Sequence, residues 1–305
     1  MTEDDLIAAV MDAAAVLPDR DVRLGIGDDA AILALDGGSD LVACTDTLNL
    51  DTHFLASQPP ESIGHRCLAA NLSDLAAMGA APRFALLSLS MPAPDAAWLE
   101  EFLGGFGALA RRHDVALVGG DTTRGPLAVA VTALGSVAPG TALTRKTAKA
   151  GDRIWVSGSL GGAALALADP DAPQERLLYP EPRVNLGQAL IGVATAAMDL
   201  SDGLRVDLPR LLGRHGGRID ADRLPLAGAL RGRSEDWRLA VCGGDDYELC
   251  FTAPVAADTA VSEAAAAAAT AVTAVGMVTD EAGCILASDG RDIDLGTLTG
   301  FEHFS

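Results

Sequence analysis

A chain of 305 residues with 49% hydrophobic content is too long and too apolar for a disordered segment, and two domains with a substantial core are expected. Its 22 Lys and Arg face 42 Asp and Glu, and the formal charge of −20 argues against direct binding to nucleic acid or acidic lipid. The five scattered cysteines form no C-x-x-C and read as free thiols of a reducing compartment. The acidic start Met1-Thr2-Glu3-Asp4-Asp5 has no secretory character, so a cytoplasmic protein is expected.

In chain order, residues 4–17 carry apolar residues at helical spacing and stop at Pro18. Residues 30–35 and 41–44 read as strands. Pro59-Pro60 and Glu61 open a long helix that runs through Met78 and closes at Gly79. Strands are expected at 84–91, 115–118 and 127–137, and a helix at 95–112. The longest uncharged run, 125–144, contains Gly135, Pro139 and Gly140, so it reads as strand and turn and not as a membrane span. This alternation predicts an α/β (α+β) first domain, 1–148.

The second domain, 149–305, opens with a strand at 153–156, a glycine turn (Gly158, Gly161, Gly162) and a helix to about Ala168. Residues 169–182, rich in Pro, Asp and Glu, read as a surface loop. Helices are expected at 184–197 and 204–214, with Pro209 near the start of the second or kinking it. Residues 264–269 are helical by propensity. Residues 275–278 and 284–287, separated by Asp280-Glu281-Ala282-Gly283, predict a hairpin.

Several aspartates stand where carboxylates are expensive. Asp28 and Asp29 follow Gly-Ile-Gly, Asp46 follows Leu-Val-Ala-Cys-Thr, and Asp74 lies inside Ala-Ala-Asn-Leu-Ser-Asp-Leu-Ala-Ala-Met-Gly. Asp121, Asp245 and Asp246 follow paired glycines, and Asp199 and Asp202 lie in Met-Asp-Leu-Ser-Asp-Gly-Leu. Taken singly, most have a plain structural reading: a turn at Asp28-Asp29 or Asp121, a helix N-cap at Asp199 or Asp202. Asp74 does not. At ~100° per residue it shares a helix face with Cys67, Asn71 and Met78 while Leu68, Leu72 and Leu75 fill the other, so it points into an interior or a cleft. An unpartnered buried carboxylate costs several kcal/mol, and a common cation explains the set better than six accidents.

Oxygen ligands without a Cys/His cluster select a hard cation, Mg²⁺ first, which commonly accompanies substrate phosphates. Lys146 and Lys149 are the only lysines and neither follows a glycine, which excludes a Walker A loop. Gly158-Ser159-Leu160-Gly161-Gly162 reads as a strand-to-helix turn before a phosphate loop. Arg124, Arg145, Lys146 and Lys149 gather positive charge in an otherwise acidic chain, either for phosphate or as solvated loops.

Read together, Gly25–Ala31, Thr45–Leu48 with His53-Phe54, Ala70–Gly79, Gly119–Gly125, Leu143–Arg145, Asp199–Leu204, Gly243–Leu249 and Gly300–Phe304 resemble the thiamine-monophosphate kinase family. That family belongs to the superfamily of aminoimidazole ribonucleotide synthetase and selenophosphate synthetase. The resemblance is collinear over nearly the whole chain. It implies a two-domain aminoimidazole ribonucleotide synthetase-like fold, with N-terminal strands pairing across a homodimer. It also implies phosphorylation of thiamine monophosphate by ATP, the last step of thiamine diphosphate biosynthesis. Carried over by position, Asp29, Cys44, Thr45, Asp46, Asp74, Asp121, Asp199 and Asp202 would bind several Mg²⁺ ions. Gly120, Asp121, Arg145 and Ser201 would contact ATP, and His53, Asp245 and Phe301 the substrate. Cys44 falls where serine is common, and Asp245 replaces the usual glutamate. With donor and acceptor both phosphates and the acceptor oxygen already largely ionised, direct in-line transfer without a phosphoenzyme is expected. Competing readings are another ATP-dependent member of the superfamily and a non-enzymatic Mg²⁺-nucleotide module.

Overall fold

The computed structural model describes residues 3–15, 22–24, 32–33, 37–232 and 235–300. The chain divides into two compact units, Met1–Leu75 with Ala80–Gly140, and Ala76–Gly79 with Thr141–Ser305.

The first unit runs α1 (Glu3–Ala14), β1 (Val22–Leu24), β2 (Ile32–Leu33), β3 (Asp40–Asn49), α2 (Pro60–Ala77), β4 (Ala81–Met91), α3 (Ala96–Arg112), β5 (Ala116–Arg124) and β6 (Ala128–Val137). Four strands form one sheet in the order β3-β6-β4-β5, with β4 and β5 parallel and the other pairs antiparallel. α3 begins where the Asp95 carboxylate accepts the Trp98 amide at 3.1 Å and ends on Arg111 and Arg112, both arrangements that suit the helix dipole. Its apolar face buries Leu99, Phe102, Phe106 and Leu109. α2 is apolar nearly all round: Leu68, Leu72 and Leu75 are fully buried, and so is Asn71 on the opposite face.

The second unit runs β7 (Arg153–Ser157), α4 (Gly162–Ala168), α5 (Glu175–Leu178), α6 (Val184–Ala189), β8 (Ala196–Leu200), α7 (Leu204–Leu212), β9 (Gly216–Asp220), α8 (Trp237–Cys242), β10 (Glu248–Ala253), α9 (Asp258–Ala267), β11 (Val272–Thr279), β12 (Cys284–Ser288) and β13 (Arg291–Asp294). Its seven-stranded sheet has the order β13-β12-β9-β11-β7-β10-β8. Ile154, Val156, Ile219, Leu286 and the apolar face of α7 (Leu204, Leu208, Leu211, Leu212) share its core.

The structure corrects several expectations. The helix expected at 184–197 ends at Ala189, and its last two residues begin β8. Every residue of β8 is buried, so the run lacks the alternation that separates a strand from a helix. The expected hairpin of 275–278 with 284–287 does not form, because β9 lies between its arms, antiparallel to β11 and parallel to β12. Cys284–Ser288 makes its hairpin with β13 instead. Two expected strands stop short of the observed ones: β3 continues through Asp46 to Asn49 and β5 through Gly119-Gly120-Asp121 to Arg124. Asp121 is therefore a strand residue and not part of a turn. The loop 169–182 contains α5, and Pro209 sits inside α7. β9 and β10 were not anticipated.

Candidate active site

In the first unit, the alternation of β3 puts Cys44 and Asp46 on one half-buried face, opposite α2 residues Asn71 and Asp74. The Cys44 thiol donates to the Asn71 carbonyl at 3.3 Å. Burial, and then the neighbouring Asp74 and Asp46 carboxylates, push that thiol far above its ordinary range, so Cys44 is a protonated donor and not a thiolate. Burial also raises Asp46. Asn71 turns its Nδ2 onto the Cys67 carbonyl at 3.0 Å. Thr45 donates to the Val131 carbonyl at 3.0 Å and accepts from Thr132 at 3.1 Å. Two carboxylates beside one half-buried thiol gather negative charge at this spot.

Asp121 lies on β5, the other edge of the same sheet, beside Ser88 of β4. Gly120 before it has φ of 150°, and a Cβ there would collide with the Leu87 carbonyl. Asp121 lines a cavity of about 510 Å³ whose walls are Met91, Pro92, Ala93 and Pro94 on one side and Thr122, Thr123 and Arg124 on the other. His53 sits in the short segment that follows β3, its Nδ1 accepting the Asn49 amide at 3.0 Å.

In the second unit, Asp199 is the penultimate residue of β8, and Ser201 and Asp202 form the bend before α7. The expected N-cap role does not hold for either acid: Gly203 is the cap residue and no side chain caps α7. Asp207 reaches back from inside the helix, accepting the Asp202 amide at 2.9 Å. Burial pushes its carboxyl up to about 7, with Asp202 and Asp199 adding to the rise. Arg210 lies against Asp202 at 2.5 Å.

The segment after α8 is stitched onto the same bend: the Asp245 amide donates to the Ser201 carbonyl and the Tyr247 amide to the Leu200 carbonyl, both at 2.9 Å. Asp245 (φ 64°) and Tyr247 (φ 50°) occupy the left-handed region, a strained backbone that the flanking bonds hold in place. Between them Asp246, fully buried, accepts the Gly161 amide at 2.7 Å. Glu248 is buried among Arg183 (2.6 Å to each carboxylate oxygen), Arg176 (2.5 Å) and Ser157 (2.6 Å). A Cβ on Gly158 would run into this carboxylate, which explains the glycine of that turn. Arg145 is fixed from both sides, by the Ala197 amide on the Thr144 carbonyl and the Lys146 amide on the Leu211 carbonyl.

Asp28, Asp29 and Phe301 lie outside the described residues. Among the described residues no three Cys, His, Asp or Glu side chains form a ready-made cage for a metal ion. Sequence reasoning missed Asp207, Arg210, Arg176, Arg183 and Glu248. Asp207 and Arg210 carried a detectable signal, since they recur at helical spacing just after the acidic bend. All five cysteines are free, and among the described residues no helix is long and apolar enough to cross a membrane.

Comparison with known proteins places these features in a family. Residues 27–137 match AIR synthase related protein, N-terminal domain, and residues 149–288 match its C-terminal domain. The chain is 42% identical over 303 residues to the thiamine-monophosphate kinase of Escherichia coli (strain K12), covering 93% of each. It resembles the crystal structure of thiamine-monophosphate kinase from Stenotrophomonas maltophilia K279a with a TM-score of 0.84 at 43% identity, over 95% of this chain and 96% of that one. It also resembles AaThiL complexed with AMPPCP and TMP, with a TM-score of 0.76 at 27% identity, over 99% of this chain and 97% of that one.

Proposed function

The chain belongs to the thiamine-monophosphate kinase family, and from that premise we propose that it transfers the γ-phosphate of ATP to thiamine monophosphate, yielding thiamine diphosphate and ADP. The observation that carries this reading is the likeness, over nearly its whole length, to a relative in complex with the ATP analogue AMPPCP and TMP.

Donor and acceptor are both phosphates, so approach is an electrostatic problem before it is a bond-making one. A phosphate monoester, with a second pKa near 6, is largely dianionic at pH 7 and needs little help from a base. The residues therefore position and shield. Arg145, fixed on both flanks, offsets charge on ATP, and Gly120, Asp121 and Ser201 contact the nucleotide. His53, Asp245 and Phe301 hold thiamine monophosphate, with Phe301 stacking on a thiamine ring. Asp29, Asp46, Asp74, Asp121, Asp199 and Asp202, with Thr45 and the Cys44 backbone carbonyl, would hold Mg²⁺. When bound, Mg²⁺ supplies the positive charge that neutralises adjoining phosphate oxygens. Transfer is a single in-line displacement with no phosphoenzyme.

The domain from 1 to 148 carries Asp29, Cys44, Thr45, Asp46, Asp74, Gly120, Asp121, Arg145 and the substrate contact His53, and that from 149 to 305 carries Asp199, Ser201, Asp202, Asp245 and Phe301. A cytoplasmic homodimer forms through the N-terminal strands. β3, at a sheet edge with Leu41 51% exposed, supports that pairing. The test is ADP release measured with ATP and Mg²⁺, with and without thiamine monophosphate. Release that depends on thiamine monophosphate is expected. Equal release in its absence, or with formyl, amidine or selenide acceptors instead, contradicts the assignment.

A further inference from the structure

Inside α2, eight residues before Asp74 in the chain, lies an arginine almost sealed from solvent: Arg66 is 1% exposed. A buried guanidinium costs several kcal/mol unless its donors are used. One of them, Nη1, donates to the backbone carbonyl of His53 at 2.9 Å.

The amide and Nδ1 of His53 are tied down too. Its amide donates to the Asn49 carbonyl at 2.9 Å, and the Asn49 amide donates back to His53 Nδ1 at 3.0 Å. Asp51 (φ 63°) reverses the chain between them, its amide on the Phe54 carbonyl at 2.8 Å, and Phe54 is buried at 2% exposure. Carbonyl, amide and ring of one residue are thus each held. With Nδ1 accepting a hydrogen bond, a neutral imidazole carries its proton on Nε2. A half-buried ring held in that state carries its donor in a fixed direction.

We propose that Arg66 is a positioning residue for the acceptor substrate: by gripping the His53 carbonyl it fixes the imidazole so that Nε2–H donates to an acceptor atom of thiamine monophosphate. This rests on the reading of His53 as a substrate contact. In this role Arg66 acts through His53 and not on the substrate itself. Its loss should weaken acceptor binding and leave ATP binding and the chemical step unchanged.

The experiment is steady-state kinetics on Arg66→Met, Arg66→Lys and His53→Ala, joined to ¹⁵N NMR of the histidine rings in the ligand-free wild-type protein. Arg66→Met should raise KM for thiamine monophosphate at least ~10-fold with kcat and the ATP KM within about twofold of wild type. Arg66→Lys, which keeps the charge and a donor, should restore most of the loss. An equal rise in both KM values, or a fall in kcat alone, overturns the proposal. Should Arg66→Met fail to fold, the wild-type spectrum still decides: an Nε2–H tautomer at His53 supports the proposal and an Nδ1–H tautomer overturns it. If His53→Ala leaves the KM for thiamine monophosphate unchanged, the substrate-contact reading fails and the proposal with it. A rise with His53→Ala but none with Arg66→Met overturns the Arg66 role alone.

Discussion

The Asp207 carboxylate, sealed inside α7, accepts the backbone amide of Asp202 at 2.9 Å, so a buried helical acid sets the bend that presents a candidate metal ligand. Removing it with Asp207→Ala orphans that amide, which should destabilise the protein by about 1–3 kcal/mol. The same change should raise the Mg²⁺ concentration needed for half-maximal turnover. Urea unfolding and a Mg²⁺ titration of activity measure the two effects. Unchanged Mg²⁺ dependence in a destabilised variant would detach the bend from metal binding.

Asp246 gives stability a pH dependence of defined sign. Burial, only partly offset by the Gly161 amide and Arg176, lifts its carboxyl from 3.8 to about 7. The folded state therefore keeps a proton that the unfolded state releases. The stabilisation is complete below the unfolded value and is lost as pH rises through about 7. In urea unfolding, wild type should lose stability relative to Asp246→Asn between about pH 4 and about pH 7. A constant difference across that range contradicts this account.

Glu248 follows the opposite logic. Burial alone would raise its carboxyl, but Arg183, Arg176 and Ser157 outweigh burial and hold it below its ordinary value. Glu248→Gln leaves two arginines without their counter-charge in a buried site and should cost about 3–5 kcal/mol. Because the carboxyl is depressed, its contribution is present above the unfolded value of 4.5 and falls away in acid. Chemical denaturation at neutral and acidic pH reads both effects.

Asp74→Asn should lower kcat by at least ~10², a loss of about 2.7 kcal/mol, with the near-ultraviolet circular dichroism of wild type. The substitution keeps the size of the side chain and removes its charge. Near-normal turnover at limiting Mg²⁺ would remove Asp74 from the site.

Direct transfer should invert configuration at phosphorus when ATP carries a chiral γ-phosphate. Retention would point to a phosphoenzyme.

The parts of this molecule that can be read from its sequence are those governed by local chemistry. α2 is legible because Pro59-Pro60 and Glu61 open it and Gly79 closes it, and the helix expected at 95–112 matches α3. Asp74 is conspicuous as an acid inside an otherwise apolar helix, and it lies beside Cys44. Non-local pairing is not legible in that way. β9 slips between β11 and β12, two segments that look like neighbours across a four-residue turn. Glu248 finds Arg183 65 residues away and Arg176 72 residues away, in a stretch whose composition suggests only a solvated loop. β8 is hidden because complete burial erases the alternation that marks a strand.

The most direct measurement follows the phosphate itself. With ATP labelled in the γ-phosphate, Mg²⁺ and thiamine monophosphate, the label should appear in the terminal phosphate of thiamine diphosphate, one equivalent for each ADP formed. Label recovered as inorganic phosphate, with ADP formed but no thiamine diphosphate, would contradict the account.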